Sequence, residues 1–324
     1  MKIVVRTPNW IGDMIFALPA LRSVAAHFPG ADIRLAGPDW IGALLAGSEF
    51  AGRAVRAEVG TLRAASFDAG LILANSFSSA LLLRRARVPE RWGYRADGRG
   101  WLLTKAVRRR KARPPVHMVR YYLGLLEGLD IPARRPSIAI APSAEGQERA
   151  DRRLAGLGFD PARPLVLLAP GAAHGPAKRW PAARFAETGR LLRERRGAAV
   201  AVVGSAADAP LASEIAAAPG ERPADLTGKT GLAELLGLLR RAAILVSNDS
   251  GPLHAANALG TPVVAVFGPT DPRATGPFDP PARVVRREGI PCWPCRFRLC
   301  PYDHRCMTGI TAGEAAAAAE ELMG

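Results

Sequence analysis

The chain has 324 residues, 48% hydrophobic and 23% charged, which is enough apolar material for two domains with cores of their own. No apolar run approaches the roughly 20 residues that a membrane helix needs, and the opening MKIVVRTPNW reads as a first strand rather than a signal peptide, so a cytosolic protein is expected. The formal net charge is +15, and residues 84–120 alone hold thirteen Lys or Arg against Glu90 and Asp97, a local balance of +11, which suits an anionic partner better than a uniformly solvated surface.

Strand-like and helix-like patterns alternate from the start. KIVV is followed by a helical pattern over 14–28 and then by ADIRLAG; AGLILAN is followed by SSALLLRRA. Residues 141–163 are polar and rich in Gly, Pro and charge, and read as a linker, which places the domains at 1–158 and 159–324. Beyond the linker, PLVLLAPG leads to a helix over 181–196. AAVAVVG precedes a helix over APLASEIAAA, ADLTG precedes LAELLGLLRRA, and AILVSND and PVVAVFG close the series. The Ala-rich tail TAGEAAAAAEELMG reads as a final helix. Continuous apolar strands between amphipathic helices imply parallel sheets covered on both faces. The fold class is therefore α/β, two doubly wound Rossmann-like domains facing across a cleft lined by the carboxyl ends of the strands.

Three loops that follow strands carry the polar chemistry. In RTPNWIGDMIFALP, Asp13 stands at the start of the first helix, where a carboxylate either caps the helix or serves as a general base. In APGAAHGPAKRWP, Gly171 and Gly175 allow close backbone approach, and Lys178 and Arg179 supply positive charge suited to a diphosphate. In SNDSGPLHAANALGTPVVAVFGPTDP, Pro252 fits a first helical turn capped by Asp249 or Ser250. The N–H groups around Gly251, Pro252 and Leu253 would form an anion site, with Asn248 at the strand end and Asp249 and His254 placed to hold sugar hydroxyls or a ring edge.

Other patterns fail on inspection. TGKTG at 227–231 resembles a phosphate-binding loop, but Pro223 stands where the pattern needs its first Gly. No G-x-G-x-x-G follows the first strand and no G-x-S-x-G occurs. Cys292, Cys295, Cys300 and Cys306, with His304 among them, follow the spacing C-x2-C-x4-C-x5-C. Only one tight C-x-x-C pair is present, so a structural metal and free packed thiols both remain open.

NWIGDMIFALPAL, PGAAHGPAKRWP, SNDSGPLHAANALGTPVVAVFGPTDP and CRFRLCPYDHRCM, in that order over nearly the whole chain, resemble the ADP-heptose:lipopolysaccharide heptosyltransferases of glycosyltransferase family 9, most closely the type II branch. The resemblance implies a GT-B fold and an inverting glycosyltransferase. It implies a C-terminal domain that binds ADP-heptose and an N-terminal domain that binds the lipid-linked lipopolysaccharide core. By motif position, Asp13 corresponds to the catalytic base and Lys178 to the phosphate-contacting lysine. Asp249, Ser250 and Gly251 correspond to the donor loop, and Asp208, after VVGSAA, to an acidic ribose ligand. No cofactor is expected. No Asp-x-Asp pair marks a metal at a strand end, and Lys178 with the helix N–H groups would stabilise the leaving ADP. The basic segment 84–120, interleaved with Trp92, Tyr94 and Trp101, would meet acceptor phosphates or the cytosolic face of the inner membrane. A transferase using another nucleotide sugar or a protein acceptor is the alternative. A nucleic-acid partner is favoured by charge alone and is not expected, because no recognition motif accompanies the charge.

Overall fold

The computed structural model describes residues 1–109, 115–295 and 297–324, and the chain divides into two compact units, Met1–Ile138 and Ala139–Gly324. The first unit holds strands β1 (Lys2–Arg6), β2 (Asp32–Gly37), β3 (Ala54–Arg56), β4 (Ala69–Ile72), β5 (Glu90–Arg95) and β6 (Lys105–Arg108), in the order β3-β2-β1-β4-β5-β6. The second holds β7 (Leu165–Ala169), β8 (Ala199–Val202), β9 (Ala224–Asp225), β10 (Ile244–Asn248), β11 (Val263–Phe267) and β12 (Ala282–Arg286), in the order β12-β11-β10-β7-β8-β9. Every pairing is parallel, with Val5 opposite both Leu35 and Leu71 in the first sheet and Leu245 opposite both Leu167 and Val263 in the second.

In each sheet the chain begins at the centre, works out to one edge, then returns to the centre and works out to the other. The carboxyl ends of β1 and β4, and of β7 and β10, are therefore the points where the winding reverses. There the following loops part to opposite faces and leave room for a ligand. All five residues of β7, β10 and β11 are buried, which is why these strands read as unbroken apolar runs. Val166, Leu168, Val246 and Val264 pack with Trp180, Phe185 and the buried Ala315, Ala316 and Ala319 of the last helix, Ala312–Met323. Small side chains let that helix lie close to the sheet, and Thr311 and Glu314 close its start in a reciprocal capping box.

The expected linker at 141–163 is instead a helix of the second unit, Ala144–Gly156, and the division falls at Ile138, ahead of the expected 158. Ser143 caps this helix through the Gly146 N–H at 3.1 Å. It packs against the helix Leu232–Arg241 with Gly146 and Gly237 at the contact, where a Cβ on Gly237 would lie 2.6 Å from the Gly146 carbonyl oxygen. Two of its polar residues reach across that contact: Arg153 pairs with Glu234 at 2.8 Å, and Asp151 accepts two bonds from Arg241 at 2.7 and 2.9 Å. Among the described residues no helix is long and apolar enough to cross a membrane.

Candidate active site

Ser247 of β10 pairs with Ala169 of β7, so the segments that follow these two strands leave the second sheet side by side. One carries Pro170 and Gly171 on to a short 3-10 turn, Pro176–Lys178; the other carries Asp249 into the helix Gly251–Ala258. Lys178 and Asp249 meet there: Lys178 Nζ lies 2.5 Å from Asp249 Oδ2, and their side chains are 15% and 4% exposed. The Thr270 hydroxyl donates to the same oxygen at 2.7 Å, Thr275 reaches it at 3.5 Å, and His254 Nε2 lies 3.3 Å from Oδ1. Burial by itself would raise the Asp249 carboxyl. The His254 hydrogen bond and the Lys178 ammonium override it and hold the group well below the usual carboxylate range. Asp249 and His254, expected to hold sugar hydroxyls or a ring edge, are bonded to each other inside the protein. The aspartate thus fixes the lysine, whose ammonium carries two further N–H donors. Thr270 and Thr275 escaped sequence reasoning, although Thr270 lies in the quoted stretch just after β11, the strand beside β10.

Asn248 is engaged within the protein as well. It is fully buried, its Oδ1 accepts from the Trp180 N–H at 3.0 Å and its Nδ2 donates to the Pro170 carbonyl at 2.7 Å. It ties the Lys178 loop to the end of β10. Ser250 occupies the N-cap position of the helix Gly251–Ala258, but its side chain does not cap it; its hydroxyl lies 3.2 Å from that of Ser247. Pro252 sits in the first turn and brings no N–H, and the Leu253 side chain is fully buried, so these two residues offer backbone only. Gly171 has no space for a side chain, since a Cβ there would lie 2.6 Å from the Asp208 carboxylate. Asp208 turns that carboxylate to its own short helix, accepting from the Ser205 N–H at 2.9 Å and hydroxyl at 2.7 Å. Arg179 is half-buried, and its Nε has no hydrogen-bond partner among the described residues.

In the first unit, Asp13 lies in the first turn of the helix Ile11–His27, directly after β1 and hence where the winding of that sheet reverses. It is half-buried, beside Trp10, which is 57% exposed. Burial chiefly, and the Asp13 charge in addition, raise the phenol of Tyr122 well above its usual value.

Residues 55–305 match the model of glycosyltransferase family 9 (heptosyltransferase). The chain belongs to glycosyltransferase family 9. It is 31% identical to the lipooligosaccharide heptosyltransferase 2 of Haemophilus influenzae and 33% identical to the lipopolysaccharide heptosyltransferase 2 of Escherichia coli, in each case over 88% of both chains. It is similar to the solved structure of the E. coli ADP-heptose lps heptosyltransferase II, with a TM-score of 0.84 and 29% identity over 100% of this chain and 98% of that one. The two parallel sheets match the GT-B fold of these enzymes.

The Cys-rich segment of this family 9 chain is remote in sequence from the loops that carry Lys178 and Thr270 and is packed against them. The Arg298 carbonyl accepts from the Ala177 N–H at 3.0 Å and leaves no space for a side chain at Gly175, whose φ is +154°. His304 Nε2 lies 2.7 Å from the Ala177 carbonyl oxygen, the Trp293 indole donates to the Thr270 carbonyl at 3.1 Å, and the Cys295 N–H donates to that of Pro269 at 2.8 Å. The segment therefore holds the loops that carry Lys178 and Thr270. Its four cysteines are free thiols, and among the described residues no group of three or more His, Cys, Asp or Glu is arranged to hold a metal.

The basic segment 84–120 is not one patch. Arg110 to Pro114 lie outside the described residues. Arg99 is fully buried and donates to the carbonyls of Tyr94, Ala74 and Ser76, and Arg91 to those of Leu102, Val88 and Pro89. Trp92 and Tyr94 are buried too, while Trp101 is 68% exposed. Arg84, Arg85 and Arg87 are exposed where the chain enters β5, and Arg95, Arg108 and Arg109 are exposed where it leaves β5 and β6.

Proposed function

We propose that this chain moves the heptose of ADP-heptose onto the inner core of lipopolysaccharide, as the second heptose, with inversion at the anomeric carbon. The observation that carries the reading is the Lys178–Asp249 pair beside an uncapped helix start, at the reversal point of the second sheet, in a family 9 chain aligned over 88% of heptosyltransferase 2 relatives. The diphosphate of the donor lies against Lys178, Arg179 and the backbone N–H groups of Gly251 and Leu253. Asp13 takes the proton of the acceptor hydroxyl as that oxygen bonds to the anomeric carbon from the face opposite ADP. The bond from that carbon to the diphosphate oxygen breaks, and ADP leaves with the electron pair. Lys178 and the helix start offset the charge it gains without a divalent ion. The second unit is the donor unit and the first the acceptor unit, working at the cytosolic face of the inner membrane.

Purified protein is assayed with ADP-heptose, a UDP-sugar and a GDP-sugar against a core acceptor carrying one heptose, with and without EDTA, and the products are weighed by mass spectrometry. One added heptose, from ADP-heptose alone and unaffected by EDTA, is expected. Transfer only from another donor would overturn the donor assignment, and a strict magnesium requirement would overturn the metal-free account.

A further inference from the structure

The first unit contains a cavity of about 750 Å³ that no part of the reaction described above uses. It opens where the chain leaves β5 and β6, at the carboxyl edge of the sheet that also carries Asp13, and its walls include Arg95, Asp97, Trp101 and Arg108. Two guanidinium groups face one carboxylate, so the local field favours an anion. Arg95 lies along Gly100, where a Cβ would sit 2.9 Å from its Cγ; the glycine makes room for the arginine stem. Trp101, 68% exposed, stands 6.2 Å from the ring of Phe77, itself 39% exposed. Two large aromatic side chains held side by side in water are an unfavourable use of apolar surface unless something covers them.

Their support is rigid. Arg99, fully buried, donates from Nε to the Tyr94 carbonyl at 3.0 Å and from Nη1 to the carbonyls of Ala74 and Ser76 at 2.5 and 3.1 Å. It thereby locks the segment after β4, which leads into Phe77, to the segment after β5, which leads into Trp101. A buried cation with no carboxylate among these bonds is costly to keep, and what it secures is the relative placement of the aromatic pair and the Arg95 strand end.

We propose that this cavity is a subsite for a phosphorylated sugar of the acceptor. The Trp101 face covers the C–H face of a pyranose ring, and Arg95 and Arg108 grip a phosphomonoester carried on it, through the planar fork that suits a phosphate. The volume lies within the range of small-molecule sites. The assignment rests on the acceptor role given to this unit under the proposed function and adds to it which chemical group of the acceptor is read, and where. The rival occupant, an anionic lipid surface, would need charge but no aromatic face beside it.

The test follows the Trp101 indole N–H resonance of the full chain during titration with glucose 6-phosphate, with glucose, with inorganic phosphate, and with phosphatidylglycerol vesicles. It is paired with transfer kinetics on the acceptor before and after phosphatase treatment. Glucose 6-phosphate should shift the resonance at concentrations at least tenfold below those needed for glucose or phosphate alone. The variant R95Q/R108Q should abolish that preference. It should also lower kcat/KM tenfold or more on the phosphorylated acceptor, chiefly through KM, and leave the dephosphorylated acceptor and ADP affinity unchanged. W101A should weaken glucose 6-phosphate binding in calorimetry. A resonance that answers to vesicles and not to glucose 6-phosphate, or equal loss on both acceptors, would overturn the subsite. If wild type transferred no heptose at all, the proposed function would fall, and the titration arm would still decide whether the cavity takes a sugar phosphate.

Discussion

Asp249 shows how a residue can be legible in the sequence while its job is not. Its place at the end of an apolar strand marks it as special; that it spends both oxygens on Lys178, His254 and Thr270 depends on loops 71 and 21 residues away. The same holds for Asn248, because a strand-end amide can turn to the ligand or to the neighbouring loop, and only the Trp180 N–H decides it. Lys178→Ala should have two separable effects. ADP affinity should fall by roughly 1.5–3 kcal/mol, from the lost charge-assisted contact, which calorimetry reads. Stability should also fall, by about 3–5 kcal/mol in urea unfolding, because a buried carboxylate loses its cation. Lys178→Ala combined with Asp249→Asn should recover much of the stability and none of the affinity. The pH dependence follows from the depressed Asp249 carboxyl. Unfolded, the group titrates near 3.9; folded, it titrates lower, so its stabilisation is complete above that value and is lost as pH falls through and below it. The stability difference between wild type and Asp249→Asn should therefore be flat from pH 7 to 5 and shrink toward pH 3. Asp13→Asn should cut turnover by orders of magnitude, about 10²–10⁴-fold for a lost general base. ADP affinity should be unchanged, since the donor loops belong to the other unit; near-normal turnover would reduce Asp13 to a helix cap.

At the level of elements, strands buried on both sides announced themselves, and β7, β8, β10 and β11 fall on their apolar runs. Short edge strands such as β6, KAVR, and strands rich in charge such as β5, ERWGYR, carry no such signal. The helix Ala144–Gly156 was hidden by its own chemistry: of its thirteen residues only Gly146 and Ala150 are buried, so composition reads linker where packing through glycine makes a helix pair. Gly237→Ala puts a methyl 2.7 Å from the Ala150 Cβ, and overpacking of this kind costs about 1–3 kcal/mol. Urea unfolding should register that loss, and an unchanged midpoint would mean the two helices can part at no cost. The Cys-rich segment was legible as a cluster but not as the buttress of the Lys178 loop, because that role is carried by backbone bonds. Within it, burial first, and the neighbouring Cys300, Cys295 and Cys292 in addition, push the Cys306 thiol up to about 11. At pH 7.5 it stays protonated and should resist iodoacetamide, while the exposed Cys292 reacts. Mass spectrometry of the alkylated chain reads both sites at once.

For the whole molecule, the strand order does most to place the chemistry. Two sheets with the same winding bring Asp13 and the Lys178–Asp249 pair to their reversal points, and the alternating apolar pattern made that expectation available before any side chain was placed. The net charge of +15 is a weaker guide. The segment 84–120 reads as one basic block in sequence, but a parallel strand carries its two ends to opposite edges of a sheet, and Arg91 and Arg99 are consumed by backbone carbonyls. What remains exposed is split. Arg84, Arg85 and Arg87 stand at the amino edge of the first sheet, and Arg95, Arg108 and Arg109 at the carboxyl edge with Asp13, where Arg109 also lies 5.2 Å from the ring of Tyr121.

If, as proposed, a lipid-linked acceptor reaches Asp13, it does so from the carboxyl edge, and the two arginine groups should then differ in what they do. Neutralising Arg95, Arg108 and Arg109 to Gln should reduce co-sedimentation with anionic vesicles, at about 1 kcal/mol for each basic residue near the surface. The same change at Arg84, Arg85 and Arg87 should leave it close to wild type, although both variants lose three charges. ADP affinity should survive in both, because Lys178 and Asp249 belong to the second unit. Raising the salt from about 0.1 M to 1 M shortens the screening length from roughly 10 Å to 3 Å, so the gap between wild type and the Arg108 variant should close. Equal loss from the two variants at low salt would mean that total charge, and not the edge that bears it, governs binding to the membrane.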